Sequence, residues 1–372
     1  MIVILKPSID ERSAEYEYTL KALQSIPRIE LQIHTVKGIQ ETLIEIYLLG
    51  DTDHISKDNI EALPGVSRVI RISDDYKILG RNTAHHNGFS FEYNGVLFSQ
   101  DNLNVFAGLC AVDTPENVES TMRTLQAHGQ VCTRMGAYKP RTSPYAFQGL
   151  GKSCLANVFE TAGKYGIKVI AMEVTHERHI EEISEILNNL GHPTGVMLQI
   201  GTRNAQNFEL LRAVGSQTMF PVLFKRGYGI TLDESIHAAE YLAHAGNHRI
   251  IFCLRGVKSI FGRPHRNMVD FAHVSVIHRL TRMPVCIDPS HSVGISSRSY
   301  DGISDIFHAT AQGIISGANM VLVDFHPHPP SAIVDSRQAI PLKELPWFLE
   351  DIAITREAYK KRKNLAKRHG NE

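Results

Sequence analysis

Apolar and polar positions follow two different rhythms along the chain. In the first 80 residues, short strand-like runs interleave with helical spacing. Residues 2–5 form an apolar strand, residues 13–26 repeat apolar side chains at helical intervals, and residues 29–35 and 42–49 alternate as strands. Residues 57–63 read as a short helix and 66–72 as a last strand. The order strand–helix–strand–strand–helix–strand predicts a split βαβ, ferredoxin-like sandwich. Residues 89–100 then predict a hairpin, because Asn94-Gly95 between two strand-like runs suits a type I′ turn.

From residue 104 the rhythm changes to apolar strand, loop and amphipathic helix, repeated. Candidate strands are 104–109, 130–134, 167–173, 195–200, 220–225, 249–254, 284–288 and 319–325. Several are continuously apolar, as parallel strands covered on both faces should be. Periodicity alone also fits an open doubly wound sheet, but eight evenly spaced units over ~240 residues favour closure. The predicted fold class is α/β: a (β/α)8 TIM barrel preceded by a small α+β ferredoxin-like domain. Predicted boundaries are 1–80 for the small domain, 81–103 for a hairpin linker and 104–372 for the barrel.

Composition narrows the setting. Lys+Arg and Asp+Glu balance at 39 each, so no whole-chain attraction to nucleic acid or membrane is expected. The apolar start before Lys6-Pro7 is too short for a signal-peptide core, and no run reaches ~18 apolar residues. Five widely spaced cysteines without a CxxC pair read as reduced thiols of a cytoplasmic protein. The basic tail at 356–368 reads as a solvated helix end.

Barrel enzymes carry their chemistry at the C-terminal ends of the strands, and the unusual polar residues of this chain fall there. Cys110 ends the first barrel strand. Arg134 ends the second and is followed by Gly136-Ala-Tyr138-Lys139-Pro140-Arg141-Thr142-Ser143-Pro144. Arg203 follows the fourth strand, Lys225 and Arg226 end the fifth, Arg255 follows the sixth, and Asp288 and His291 follow the seventh. Asp324 lies in the end of the eighth strand, with His326 and Asp335 beyond it. So many cations around one mouth require anions, and Arg holds phosphate or carboxylate bidentately. Two basic clusters suggest two phosphates, or one phosphate and one carboxylate. Cys110, His291, Asp324 and Asp335 form a second group, whose thiolate, imidazole and carboxylates suit Mn2+, Fe2+, Co2+ or Zn2+.

Lys139-Pro140-Arg141-Thr142-Ser143-Pro144, Gln199-Ile-Gly201-Thr-Arg203-Asn204-Ala-Gln-Asn207, Lys225-Arg226-Gly227 and Asp288-Pro289-Ser290-His291-Ser292 together resemble 3-deoxy-D-arabino-heptulosonate 7-phosphate (DAHP) synthase. The branch with an N-terminal ferredoxin-like domain is the most similar. The resemblance runs in matching order over nearly the whole chain. It implies a metal-dependent transferase that condenses phosphoenolpyruvate with erythrose 4-phosphate, the first step of the shikimate pathway. By the same resemblance, Arg203, Lys225 and Arg255 match a grip on the phosphoenolpyruvate phosphate. Arg134 and Lys139 lie near its carboxylate, and Arg141 and Thr142 grip the aldose phosphate. Cys110, His291, Asp324 and Asp335 fall at the metal positions, with Lys139, His291 and Asp335 the catalytic candidates.

The resemblance also implies a homodimer or homotetramer and an aromatic amino acid effector at the N-terminal domain, where His34, Lys37 and Gly38 lie in the relevant stretch. Departures from the family pattern gather at one end of the site. Gly108-Leu109-Cys110-Ala111 stands for the usual Gly-Pro-Cys-Ser, and Asp324 replaces a Glu. Met172 falls at an acidic position with Glu173 beside it, and Leu254 replaces a Glu. The alternative expectation is therefore a variant enzyme using another aldehyde, or a non-catalytic regulatory relative.

Overall fold

The first 77 residues fold around one face of a small sheet. The structure is a computed structural model that describes residues 1–7, 9–37, 42–52, 54–71, 76–81, 89–190 and 194–369. It divides into two compact units, 1–77 and 78–372. The first runs β1 (Ile2–Leu5), α1 (Ala14–Gln24), β2 (Ile29–Lys37), β3 (Thr42–Gly50), α2 (Lys57–Glu61) and β4 (Val66–Ile70). The sheet order is β2-β3-β1-β4, with every neighbouring pair antiparallel, as a ferredoxin-like sandwich requires. Period-two alternation on β3 buries Ile44, Ile46 and Leu48 against Val3, Leu5 and Leu23. Ser13 caps α1 by accepting from the Tyr16 amide. Of the residues expected near an effector, Gly38 lies outside the described residues, as does the side chain of Lys37; so does Ile72, the expected end of the last strand.

The second unit begins with a hairpin, β5 (Phe91–Tyr93) and β6 (Val96–Phe98). Its turn residues Asn94 and Gly95 have φ of 48° and 76°, the left-handed conformations of a type I′ turn. The barrel follows: β7 (Asn104–Leu109), α3 (Pro115–Ala127), β8 (Cys132–Met135), α4 (Leu155–Lys164), β9 (Val169–Val174) and α5 (Arg178–Leu190). It continues with β10 (Gly195–Ile200), α6 (Phe208–Ser216), β11 (Val222–Lys225), α7 (Leu232–His244), β12 (Ile250–Leu254) and α8 (His273–Leu280). Last come β13 (Val285–Ile287), the short α9 (Pro289–Val293), α10 (Asp305–Ile315), β14 (Met320–His326) and the long α11 (Leu345–His369). Strands β7 to β14 are parallel in chain order, and β14 pairs with both β13 and β7, which closes the barrel. No helix among the described residues is long and apolar enough to cross a membrane.

The hairpin packs as a floor. Val96 and Phe98 join Phe106, Cys132, Val169, Ala171, Met197, Leu223, Ile251, Cys253, Cys286, Met320 and Leu322 in one buried cluster inside the barrel. Tyr93 packs against it, and its hydroxyl accepts from the Val196 amide at 3.1 Å. A Cβ on Gly195 would lie 2.6 Å from the Tyr93 ring, so the strand start and the hairpin are fitted to each other. Tyr93→Phe leaves that buried amide without its acceptor, and a loss of about 1–3 kcal/mol is expected in denaturant unfolding. An unchanged midpoint would mean the floor does not need this bond.

Candidate active site

Strand parity builds the site directly on the apolar floor. Side chains alternate across a strand, so the residue two positions above each interior apolar side chain also faces inward. Those residues are Arg134 above Cys132, Glu173 above Ala171, Gln199 above Met197, and Lys225 above Leu223. Arg255 above Cys253, Asp288 above Cys286, and Asp324 above Leu322 complete the ring. Parity also separates Met172 from Glu173 on β9. Met172 pairs beside Leu198 and is buried on the helix side, while Glu173 lines the cleft. The Glu173 carboxylate accepts from Gln199 Nε2 at 3.2 Å. A Cβ on Gly201 would stand 1.8 Å from Glu173 Oε1, so any larger residue there would push the Glu173 carboxylate aside.

A cleft of about 330 Å³ opens above this ring. Its walls carry six cations, Lys139, Arg141, Arg203, Lys225, Arg255 and Arg266, against the two carboxylates Glu173 and Asp335. Lys225 is bonded to buried Asp288 at 2.6 Å and Arg266 to Asp335 at 3.3 Å. Lys139, Arg141, Arg203 and Arg255 form no ion pair with a carboxylate among the described residues. Arg203 reaches only Thr142 Oγ1, at 3.4 Å, and the buried Arg255 lies 5.8 Å from the Tyr228 ring centre. Burial pushes the Arg255 guanidinium below its usual range, although Asp288 opposes this. Four cations without a carboxylate partner in one concave place make a dianion site.

Arg226 has a different task from its neighbour Lys225. It pairs with buried Asp270 at 2.9 Å, and Asp270 also accepts from the Gly256 amide at 2.8 Å. That pair ties the end of β11 to the loop carrying Arg255.

Beside the cations lies the group expected to hold a metal. Cys110 Sγ is 3.3 Å from Asp335 Oδ2 and 3.8 Å from His291 Nε2, and the last two atoms are 3.6 Å apart. Ligands at ~2.0–2.3 Å around a tetrahedral cation sit about 3.3–3.8 Å apart, so these donors fit a divalent ion. Asp324 is fully buried, with an oxygen within 4.8 Å of the Cys110 and His291 donors. It contacts Arg134 directly and accepts from Gln338 Nε2 at 2.6 Å. Lys139 Nζ donates to the Cys110 carbonyl at 2.9 Å and lies 3.4 Å from its sulfur.

His291 is aimed by its own helix. Asp288 caps α9, accepting from the His291 amide at 3.1 Å and meeting His291 Nδ1 at 3.0 Å. A proton on Nδ1 frees Nε2 to act as a donor atom. Burial opposes charge on this ring, yet Asp288 and Asp324 outweigh it and raise the imidazole to about 10. Below that pH an incoming cation must displace the His291 proton. Affinity for Mn2+ is therefore expected to climb with pH, about tenfold per unit for each displaced proton, the Cys110 thiol proton included. Calorimetric titrations from about pH 6 to about pH 8 check the slope, and a flat profile would count against both Cys110 and His291 as donors.

Of the residues singled out in the sequence, Lys139, Arg141, Thr142, Arg203, Lys225, Arg255, His291 and Asp335 line this one cleft. Cys110, Arg134 and Asp324 are buried and absent from its lining, but each contacts the group beneath it. Arg266 and Gln338 were not singled out. Both come from long loops without periodicity, and Gln338 stands three residues after Asp335, the one local cue. His326, at the end of β14, is 2.7 Å from Asp113 and takes no part in the cleft.

Comparison with known proteins gives the family of the chain. Residues 84–361 match the DAHP synthetase I family, and residues 1–74 match the DAHP synthase ferredoxin-like domain. The chain is 34% identical over 340 residues to the phospho-2-dehydro-3-deoxyheptonate aldolase of Thermotoga maritima, covering 91% of this chain and 93% of that protein. It is 25% identical to a 2-dehydro-3-deoxyphosphooctonate aldolase of Acidithiobacillus ferrooxidans, over 64% of this chain and 84% of that one. A crystal structure of the Thermotoga maritima DAHP synthase superposes with a TM-score of 0.78 at 33% identity, covering 99% of this chain and 98% of the other. The chain therefore belongs to the DAHP synthetase I family and carries that family's ferredoxin-like domain at its N-terminus.

Proposed function

We propose that this protein joins phosphoenolpyruvate to erythrose 4-phosphate, giving DAHP and inorganic phosphate, as the first step of the shikimate pathway. The observation that carries the reading is the cleft itself, with six cations facing two carboxylates beside a cysteine, histidine and aspartate group. The printed names of the Thermotoga relatives support it. Arg203, Lys225 and Arg255 hold the phosphoenolpyruvate phosphate, with Arg134 and Lys139 towards its carboxylate. Arg141 and Thr142 hold the aldose phosphate. These fixed cations orient both substrates and stabilise negative charge as it develops. C3 of phosphoenolpyruvate forms a bond to the aldehyde carbon, water adds at C2, and the C2–O bond to phosphate breaks. Lys139, His291 and Asp335 are the side chains placed to manage protons there.

Cys110, His291, Asp324 and Asp335 surround the place for a divalent ion, Mn2+, Fe2+, Co2+ or Zn2+, which supplies Lewis acidity towards the aldehyde oxygen. Residues 1–80 serve regulation by an aromatic amino acid or assembly into a homodimer or homotetramer. Residues 81–103 and 104–372 act as one catalytic body, and the protein works in the cytoplasm.

The test is phosphate release by the chelated protein, with and without added Mn2+. Release is expected only when the ion and both substrates are present. Phosphoenolpyruvate binding without release under any divalent ion would sink the reading and send the search to other aldehydes.

A further inference from the structure

Two adjacent side chains tie the loop after β8 to different neighbours. Lys139 Nζ donates to the Cys110 carbonyl at 2.9 Å, just past the end of β7. Phe147, in the returning limb of the loop, packs beside Cys110, Ala111 and Val334. Tyr138 turns instead to α5, the helix that follows β9. Strands β7 and β9 flank β8, so the loop is held from both sides.

The Tyr138 anchor joins a stacked ring to a charged hydrogen bond. Its side chain is buried, and its ring lies on the His179 imidazole with centroids 3.7 Å apart and planes 11° from parallel. Its hydroxyl donates to Glu182 Oε2 at 2.7 Å. Burial and then Glu182 push the phenol well above its usual range, so the proton stays on the tyrosine. His179 is fixed in turn, because its Nδ1 accepts from the Thr175 amide at 3.2 Å. Backbone bonds close the neck of the loop around Tyr138. The Gly151 amide donates to the Ala137 carbonyl and the Lys139 amide to the Gln148 carbonyl, each at 2.9 Å. A Cβ on Gly149 would stand 2.1 Å from the Ala137 oxygen, so the two limbs touch there.

Beyond the neck the aldose groups are loosely held. Thr142 Oγ1 accepts from Arg203 Nη2 at 3.4 Å, and Arg141 forms no ion pair among the described residues. Where these two side chains point is therefore set by where the neck is fixed. We propose that Tyr138 is a positioning residue of the aldose site: clamped by His179 and Glu182, it sets the place from which Arg141 and Thr142 meet the aldose phosphate. Lys139 keeps its own bond to Cys110, so the clamp acts on the aldose and not on phosphoenolpyruvate. The inference rests on the reading that Arg141 and Thr142 hold that phosphate.

Steady-state kinetics and trypsin digestion of the full-length protein, with Mn2+ added, test the clamp. Tyr138→Phe keeps the stacked ring and loses the hydroxyl. It is expected to raise KM for erythrose 4-phosphate about tenfold, the weight of one hydrogen bond to a charged group, while KM for phosphoenolpyruvate stays within about twofold. Glu182→Ala is expected to match it. Glu182→Gln keeps an acceptor for the hydroxyl and is expected to hold KM near the unaltered value. Trypsin reports on the loop without substrate, since it cuts after Arg141 while Pro140 blocks the bond after Lys139. Cleavage after Arg141, followed by mass spectrometry, is expected to run several-fold faster in Tyr138→Phe. Unchanged cleavage, or an equal rise in both KM values, would overturn the clamp, as would a lower melting temperature with neither change. Faster cleavage with an unchanged KM for erythrose 4-phosphate would instead sink the assignment of Arg141 and Thr142, and the proposal with it. No phosphate release by the unaltered protein would remove the functional reading on which both stand.

Discussion

Cys110→Ala is expected to reduce phosphate release to below ~0.1% of the unaltered rate. Its sulfur is one corner of the triangle with sides of 3.3, 3.6 and 3.8 Å, and no other cysteine among the described residues shares the site. A bound ion contributes several kcal/mol of charge stabilisation in the transition state, and about 4 kcal/mol corresponds to roughly a thousandfold in rate. The same sulfur lies 3.4 Å from Lys139 Nζ, a contact the variant loses while Lys139 keeps its 2.9 Å bond to the carbonyl of residue 110. Elemental analysis alongside the phosphate assay checks the claim. An alanine variant with unchanged metal content and more than about a tenth of the rate would remove Cys110 from the site.

Lys225→Met is expected to lower both stability and anion binding. The Lys225–Asp288 pair is buried, with side chains 6% and 0% exposed and a separation of 2.6 Å. Removing one partner of such a pair strands the other and costs about 3–5 kcal/mol. Burial works against charge on Asp288, but His291 and Lys225 overcome it and hold the carboxyl well below the usual carboxylate range. The sign follows from that depression. Asp288 contributes stability above the unfolded carboxylate pKa of about 4, and the contribution is lost as pH falls towards the lower folded value. In Lys225→Met the depression shrinks, so acid-side melting should become less steep with pH while the neutral-pH melting temperature falls. Equal melting curves for both proteins across this range would show that the pair contributes nothing.

The barrel was readable because its strands are short, mostly apolar and evenly spaced, and because a polar residue stands at or within a few residues of the end of each. Parity then carries the reading further than strand ends alone. Glu173 and not Met172 belongs to the cleft, because Val169 and Ala171 beneath it already face inward. Other features depend on distances that periodicity does not encode. Arg266 and Gln338 reach the site from loops, and only the place of Gln338 three residues after Asp335 marks either of them. The difference between Asp324 and Asp335 lies in which imidazole nitrogen each faces, a matter of ring orientation set by Asp288. The hairpin was legible as a hairpin, but its packing under the barrel depends on residues far along the chain.

That last separation has a consequence for how the protein is made. Tyr93 finds its partner amide in Val196, 103 residues later, and Asn94 finds the Lys168 carbonyl 74 residues later. At ~5–20 residues per second, ribosomal synthesis leaves roughly 5–20 s between the two halves of the Tyr93 contact. Throughout that interval Phe91, Val96 and Phe98 have no interior to enter, and a two-stranded hairpin alone is marginally stable in water. The nascent chain therefore presents an apolar ribbon to its surroundings before the closed barrel that covers it is made. The base of the barrel, translated first, is among the last parts of the unit to be completed.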